Sequence, residues 1–263
     1  RHACIPRGHF DKAEEAFIMR ILLLRHGEPD YAIDGLTEKG KREAELLGSR
    51  LLHYEIREVY TSPLGRARET AEPYLRKAGK EAEVLPWLQE FRGRFPDPET
   101  GTLRVAWDIK PRLWDPENWA DAKLFEGGNV REIWDETREG IDRLMARYGL
   151  FRDGPVWCGD GNGDFTIALF CHFAISMVTA GYLMRISPLV LLQRTLTHPT
   201  SLTELVTEER IKGESAFRMT RLGDLTHLEA AGEPRSMYGI FPQVYTGIDS
   251  TDPTLNHNKT LRP

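Results

Sequence analysis

The chain alternates short apolar runs with segments in which apolar residues recur at helical spacing. Residues 21–24 are apolar at four consecutive positions, which is typical of a strand covered on both faces. From Leu36 to Leu52 the apolar positions follow a helical period, with Thr37 as the expected N-cap. The next predicted elements are a strand, a helix and a strand at 58–61, 65–78 and 83–85. This order favours a parallel sheet built from strand–helix–strand units.

The second half of the chain continues this pattern and closes with an antiparallel pair. A long amphipathic helix is predicted over 130–148, the most apolar strand over 166–171 and a helix over 173–184, and Ser187 and Pro188 open another helix. Alternation at 201–207 and 216–220 around Gly213 predicts a hairpin. We therefore predict an α/β fold, a three-layer αβα sandwich whose central sheet is mostly parallel but mixed at one edge.

Three segments depart from regular patterning. Residues 91–128 contain four prolines and Trp107, Trp114 and Trp119, and we predict an insertion that caps the sheet. The tail 229–263 is expected to wrap the domain at first and to fray at its end. Residues 1–18 are expected to be an upstream extension before Met19, which leaves a single domain over 19–263. The polar run 160–164 predicts a hairpin turn rather than a calcium loop.

Composition and charge exclude several classes of function. Thirty-five Lys and Arg against forty Asp and Glu give a net charge of −5, so no chain-wide basic field for nucleic acid exists. Three cysteines at scattered positions exclude a disulfide framework and a Cys-based zinc cluster, and they indicate a reducing, cytoplasmic compartment. The apolar stretch 165–184 has His172 at its middle and is interpreted as a buried strand and helix, not a membrane span.

Reactive residue types follow the predicted strands at the points where they end. Arg25 and His26 end the first strand, His172 ends the most apolar one, Arg66 lies one turn into the helix after the second, and Glu90 follows the third. Carboxyl ends of parallel strands meet at one edge of a sheet, so these side chains are expected to converge.

This set of residue types suits phosphoryl transfer. Guanidinium groups bind phosphate oxygens as bidentate forks, and a neutral imidazole can attack phosphorus to give a phosphohistidine. A second, protonated imidazole neutralises developing charge, while a carboxyl group with a raised pKa protonates the leaving oxygen and then activates water. The positive charges come from side chains, so no metal is required.

The same positions carry motifs of a known family. Residues 25–28 read R-H-G-E after an apolar strand, 36–40 read L-T-E-K-G, 62–71 read S-P-L-G-R-A-R-E-T-A, and 171–173 read C-H-F at a strand end. In this order the motifs resemble the phosphoglycerate-mutase-like branch of the histidine phosphatase superfamily, from Met19 to about Leu228.

The resemblance implies a role for each matching residue. His26 would be the phosphorylated nucleophile, Arg25, Arg66 and His172 would form the phosphate pocket, and Glu90 would donate the proton. Glu28 is expected to orient the backbone or Arg25, and Cys171, His198 and His227 are expected to be structural.

Two features that mutases carry are absent, and their absence favours a phosphatase over a mutase. Pro29, Asp30 and Tyr31 stand where mutases have a Ser/Thr- and Asn-containing run, and the basic Arg-Arg-Tyr-Gly type segment with which mutases bind bisphosphoglycerate has no match. Phe173 stands where the family usually has glycine, and it is expected to narrow that side of the pocket. The expected activity is metal-independent phosphomonoester hydrolysis of the histidine acid phosphatase type, without cofactor, on small phosphorylated metabolites, with inorganic phosphate as product and no nucleic acid or membrane partner. A mutase-type isomerase and a non-catalytic phosphate sensor remain alternatives, and a homodimer stays open.

Overall fold

A computed structural model describes residues 18–98, 101–107, 115–159 and 164–240. The strands are β1 (Ile18–Arg25), β2 (Pro29–Asp30), β3 (Gly35–Leu36), β4 (Ile56–Thr61), β5 (Ala82–Val84), β6 (Arg94–Pro96), β7 (Leu103–Val105), β8 (Phe151–Asp153), β9 (Val156–Cys158), β10 (Asp164–Cys171), β11 (Leu202–Ile211) and β12 (Glu214–Asp224). The helices are α1 (Glu38–Leu51), α2 (Gly65–Ala78), α3 (Val130–Ala146), α4 (Phe173–Met184), α5 (Pro188–Arg194) and α6 (Thr226–Ala231).

The main sheet has eight strands in the order β5-β4-β10-β1-β11-β12-β9-β8. The first four of these run parallel, whereas β11, β12, β9 and β8 pair antiparallel with their neighbours. In the parallel register Arg25 lies opposite Cys171, and Phe170 lies opposite Thr61. The ends of β1, β10 and β4 therefore lie at the same edge, as the sequence predicted.

Helices cover both faces of this sheet, which confirms the three-layer prediction. Leu22 and Leu24 of β1 pack on one face with residues of α1 and α2, while Ile21 and Leu23 pack on the other with residues of α3, α4 and α5. Side chains alternate between the faces of a strand, so a strand buried on both sides is apolar at every position. This explains the continuous apolar run that predicted β1.

The loop after β1 packs directly on the first turn of α1. A Cβ on Gly27 would lie 2.8 Å from the carbonyl oxygen of Gly40, and one on Gly40 would lie 2.3 Å from the carbonyl oxygen of Glu28. The Thr37 side chain caps the helix by accepting the N–H of Gly40 at 3.0 Å, as predicted for this residue. Both glycines are thus required by close backbone contact, and this contact fixes the position of the loop.

The segment 91–128 has more local structure than its sequence suggests. Strands β6 and β7 form a small hairpin, and two short 3₁₀ turns follow it at Trp119–Asp121 and Lys123–Phe125. Trp119 is fully buried, with its ring 5.3 Å from that of Trp134. Trp107 is partly buried against the core, and Trp114 lies outside the described residues. Of the turn predicted over 160–164, only Asp164 is described, and it begins β10.

The stretch 165–184 forms most of β10 and all of α4. Within the described ranges, no helix is long and apolar enough to span a membrane. Cys171 is a buried free thiol whose pKa is raised to about 12 by burial, as expected of a structural cysteine.

Candidate active site

The predicted site residues come together at the carboxyl edge of the parallel strands. Arg25 ends β1, His26 follows it, His172 directly follows β10, and Arg66 lies in the first turn of α2. The rings of His26 and His172 are 5.1 Å apart, centroid to centroid. The charges of both arginines act on both imidazoles. We call these four side chains the phosphate cradle.

His26 is 2% exposed and held by backbone groups. Its own N–H donates to the carbonyl of Cys171 at 3.0 Å, and its ring Nδ1 donates to the carbonyl of Gly27 at 2.8 Å. Burial, together with the positive charges of Arg25 and Arg66, holds the pKa of His26 well below its ordinary value. The ring is therefore neutral near pH 7, with its lone pair on Nε2.

His172 is fully buried and contacts Ser62, a residue that the sequence analysis did not select. Its Nε2 lies 2.8 Å from Ser62 Oγ, which also accepts the N–H of Leu64 at 3.2 Å. The Ser62 hydroxyl can therefore donate its proton to Nε2 and place the imidazole proton on Nδ1. Nδ1 is buried and has no hydrogen-bond partner in the described part of the chain.

His172 was expected to be protonated, but its surroundings in the structure favour the neutral ring. Burial and the charges of His26, Arg66 and Arg25 lower the pKa of His172 well below its ordinary value. A neutral imidazole with its proton on Nδ1 still donates a hydrogen bond to an anion. The negative charge of a bound phosphate would oppose the arginines and raise this pKa again.

Arg25 is almost completely buried, and backbone carbonyls hold the end of its side chain. Nη1 donates to the carbonyl of Thr197, and Nη2 donates to that of Gly239 at 3.1 Å. Its Nε is buried without a partner among the described residues. Two of its five N–H groups are therefore fixed by the protein, and Nε is available to a ligand.

Arg66 is oriented by the short loop between β2 and β3. Its Nη1 donates to Asp34 Oδ1 at 2.5 Å, while Asp34 Oδ2 accepts the N–H of Gly65 at 2.7 Å. The guanidinium carbon also lies 5.5 Å from the centre of the Tyr31 ring. Like Arg25, it has a buried Nε with no partner in the part of the chain that the structure describes.

Glu90 lies at the N-terminus of α4, next to the cradle. Its Oε1 accepts the N–H of Phe91 at 2.9 Å and that of Ile175 at 3.1 Å. Burial raises the pKa of this carboxyl group, although Arg25, the two N–H donors and Arg66 act in the opposite direction. Oε2 is left to carry a proton. The structure thus brings Glu90 to the site, whereas Glu83 pairs with Arg147 on the surface.

A second layer of contacts joins the loop after β1 to the C-terminal tail. The Glu28 carboxylate accepts hydrogen bonds from Thr37 Oγ1 at 2.9 Å and from Ser236 Oγ at 2.7 Å, while the Glu28 N–H donates to the buried Glu43 at 3.0 Å. Glu28 therefore orients the backbone and the tail rather than Arg25. His198 contacts the Ser236 carbonyl through Nδ1 at 3.0 Å. Most of the contacts of Asp34, Ser62 and Ser236 join residues more than 30 positions apart in the chain. No local sequence pattern therefore predicts them.

The arrangement provides each group that transfer of a phosphoryl group requires. A neutral imidazole nitrogen faces two guanidinium groups, a second imidazole can donate a hydrogen bond, and a carboxyl group with a raised pKa lies alongside. Such donors stabilise charge on the equatorial oxygens of a transferring phosphoryl group.

The chain is similar in sequence to known proteins. A sequence model described as the histidine phosphatase superfamily (branch 1) matches residues 21–214. A probable phosphatase, C1687.21, of Schizosaccharomyces pombe is 28% identical over 228 residues, covering 81% of this chain and 96% of that protein. A probable phosphoglycerate mutase, GpmB, of Serratia proteamaculans is 25% identical over 222 residues, with the same two coverages.

Solved structures share the fold. The mycobacterial glucosyl-3-phosphoglycerate phosphatase Rv2419c superposes with a TM-score of 0.54 at 19% identity, covering 79% of this chain and 99% of that one. A phosphoserine phosphatase of Entamoeba histolytica, solved with 3-phosphoglyceric acid, gives a TM-score of 0.52 at 16% identity, covering 80% and 99%. The predicted α/β architecture is thereby confirmed.

Proposed function

The chain belongs to the histidine phosphatase superfamily, branch 1, and we propose that it hydrolyses phosphomonoesters of small metabolites through a phosphohistidine on His26. The observation that carries this proposal is the state of His26. Its Nδ1 is bonded to the Gly27 carbonyl, and its pKa is lowered by burial and two arginines. An imidazole that is neutral, oriented and surrounded by positive charge is an activated nucleophile for a phosphate ester.

In the first half of the reaction, Nε2 of His26 attacks phosphorus and the bond from phosphorus to the ester oxygen breaks. Glu90 transfers its proton to that oxygen, so the product leaves as a neutral alcohol. Arg25 and Arg66 hold the non-bridging oxygens, and His172 donates a hydrogen bond to one of them.

In the second half, water attacks the phosphohistidine. The Glu90 carboxylate takes a proton from the water as the new oxygen–phosphorus bond forms and the bond from phosphorus to Nε2 breaks. Inorganic phosphate leaves, and both Glu90 and His26 return to their starting states. The positive charge in each half comes from Arg25 and Arg66, so the proposed reaction requires no metal ion.

Hydrolysis is favoured over isomerisation by the residues near the cradle. Phe173, directly after His172, occupies space next to Arg25, with the guanidinium carbon 5.9 Å from its ring centre. The probable phosphatase of Schizosaccharomyces pombe supports the same choice. A mutase activity is the second candidate, because the Serratia proteamaculans relative has the name of a phosphoglycerate mutase.

A screen of phosphomonoesters tests this proposal. Release of inorganic phosphate is measured for p-nitrophenyl phosphate and for a panel of sugar, amino-acid and nucleoside phosphates, with and without a metal chelator. We expect turnover that the chelator does not reduce. Activity on phosphoglycerate that depends on a bisphosphorylated sugar acid would indicate the mutase instead, and binding of phosphate without any turnover would indicate a sensor.

A further inference from the structure

Aromatic side chains border the phosphate cradle, next to Arg25 and Arg66. We propose that Tyr31, Tyr238 and Phe173 form a subsite for an uncharged aromatic leaving group, so that aryl phosphate esters are preferred substrates. This inference rests on the proposed function and specifies its substrate class.

Tyr31 is the central residue of this subsite. It lies in the loop between β2 and β3, with its ring 5.5 Å from the guanidinium carbon of Arg66. A Cβ placed on Gly239 would be 3.0 Å from the Tyr31 hydroxyl and 3.2 Å from Arg25 Nη2, so Gly239 lies next to both groups. Tyr31 is nevertheless 54% exposed. An exposed aromatic ring next to a phosphate site leaves surface for a ligand to cover.

Two further rings extend the same surface. The Tyr238 ring lies 5.7 Å from that of Tyr31 at an angle of 38°. The centre of the Phe173 ring lies 5.9 Å from the guanidinium carbon of Arg25. Offset or tilted packing at these distances is the geometry that aromatic pairs prefer, and a planar leaving group could add to it.

The charges near the cradle favour a leaving group without a carboxylate. Arg66 already pairs with Asp34, whose side chain is 42% exposed. A second negative group on the substrate would approach the Asp34 carboxylate. Arg235, an exposed residue three positions before Tyr238 in the chain, carries a positive charge, so recognition of a carboxylated substrate is the alternative outcome.

Phosphonates test the subsite without depending on turnover, because their phosphorus–carbon bond does not break. Dissociation constants are measured by calorimetry for benzylphosphonate, propylphosphonate and 3-phosphonopropionate. We expect benzylphosphonate to bind about tenfold more tightly than propylphosphonate. Contact between its ring and the Tyr31 ring would stabilise the complex in addition to the burial of apolar surface. Tyr31→Ala should reduce this ratio to about threefold or less, and Tyr31→Phe should preserve most of it.

The control variant is Phe151→Ala, which removes an exposed aromatic ring from β8 at the far edge of the sheet and should leave the ratio unchanged. Equal affinities of benzylphosphonate and propylphosphonate for the original protein would overturn the proposal of a subsite. An unchanged ratio of these two affinities in Tyr31→Ala would overturn it as well. So would tightest binding of 3-phosphonopropionate. Turnover of phenyl phosphate is measured separately: preferential binding without turnover contradicts the hydrolase and supports the subsite, whereas turnover without preferential binding contradicts the subsite alone.

Discussion

Burial moves the three titratable groups of the site away from their ordinary protonation states. The pKa values of His26 and His172 are lowered, and that of Glu90 is raised. Each shift has the direction that its proposed role requires, because the nucleophile must be unprotonated and the proton donor must be protonated. The same low-dielectric environment therefore prepares a base and an acid within one small site.

The pH profile of kcat/KM should report these two groups. Activity is lost at acid pH when His26 is protonated, with a midpoint below 6.5, and at higher pH when Glu90 loses its proton, with a midpoint above 4.5. Glu90→Gln should remove the basic limb and lower kcat by about 10²–10⁴-fold on a substrate with a poor leaving group.

Turnover of p-nitrophenyl phosphate provides the control for Glu90. The leaving group of this substrate needs little protonation, so Glu90→Gln should lower the rate of the first half of the reaction much less than with a poor leaving group. A basic limb that persists in this variant would show that another group donates the proton.

A site residue could be predicted from the sequence when a local motif marked it. It could not be predicted when only a long-range contact placed it in the site. Arg25, His26, Arg66 and His172 follow strands in recognisable motifs, so topology alone brings them together. Ser62 is the first residue of the motif at 62–71, but its contact with His172 spans 110 residues and leaves no local signal. The same holds for Asp34 and Tyr31, since a short loop gives no pattern that predicts which arginine it will contact.

At the scale of elements, the first turn of α1 supports the nucleophile loop. Thr37 Oγ1 accepts the N–H of Gly40 and donates to Glu28, so one hydroxyl connects the helix to the loop that contains His26. Glu43, one turn further along α1, accepts the Glu28 N–H. The position of His26 thus depends on how α1 begins.

Replacing this cap should destabilise the protein. Thr37→Ala leaves the Gly40 N–H without its partner, and we expect the free energy of unfolding to fall by about 1–2 kcal/mol. Thr37→Ser keeps the hydroxyl and should lose much less. Urea denaturation of the three proteins measures the difference, and equal stabilities of Thr37→Ala and Thr37→Ser would mean that the cap contributes nothing.

Helices and long strands were predictable because their signals are local. The helices predicted at 65–78 and 173–184 have the bounds of α2 and α4, with Gly79 and Arg185 in left-handed conformations just after them. The short strands β2, β3, β6, β7, β8 and β9 were missed, since two or three residues carry no periodicity. They form through pairing with neighbours that only the folded chain provides.

At the scale of the whole molecule, buried histidines connect stability to pH. Besides His26 and His172, His227 has its pKa lowered to about 4, first by burial and then by the adjacent Arg50. A histidine with a lowered pKa in the folded state binds protons more readily when the chain is unfolded. Its contribution to stability is complete above about pH 6.5 and is lost as the pH falls towards 4.

For His227 alone this loss should amount to about 3 kcal/mol between pH 7 and pH 4. His227→Gln has no group that titrates, so its free energy of unfolding should fall less steeply over the same interval. Urea denaturation at several pH values measures both slopes. Parallel curves for the two proteins would contradict the assignment, because they would place the acid sensitivity elsewhere.

The domain bounds predicted from sequence stay predictions at this scale. The described chain begins with β1 at Ile18, one residue inside the predicted extension. Its last described segment, 232–240, contacts Arg25 of the cradle through Gly239 and Glu28 through Ser236. Composition indicated a wrapping tail, but it could not indicate that a tail carbonyl would hold Arg25.

The most direct measurement is the location of the phosphoryl group during turnover. Glu90→Gln is mixed with p-nitrophenyl phosphate, quenched in base to preserve phosphohistidine, and mapped by mass spectrometry. A phosphoryl group on His26, formed together with one equivalent of p-nitrophenol, is the predicted result, and His26→Ala should show neither. Phosphate release by His26→Ala at the rate of the original protein, or a phosphoryl group on any other residue, would contradict the account.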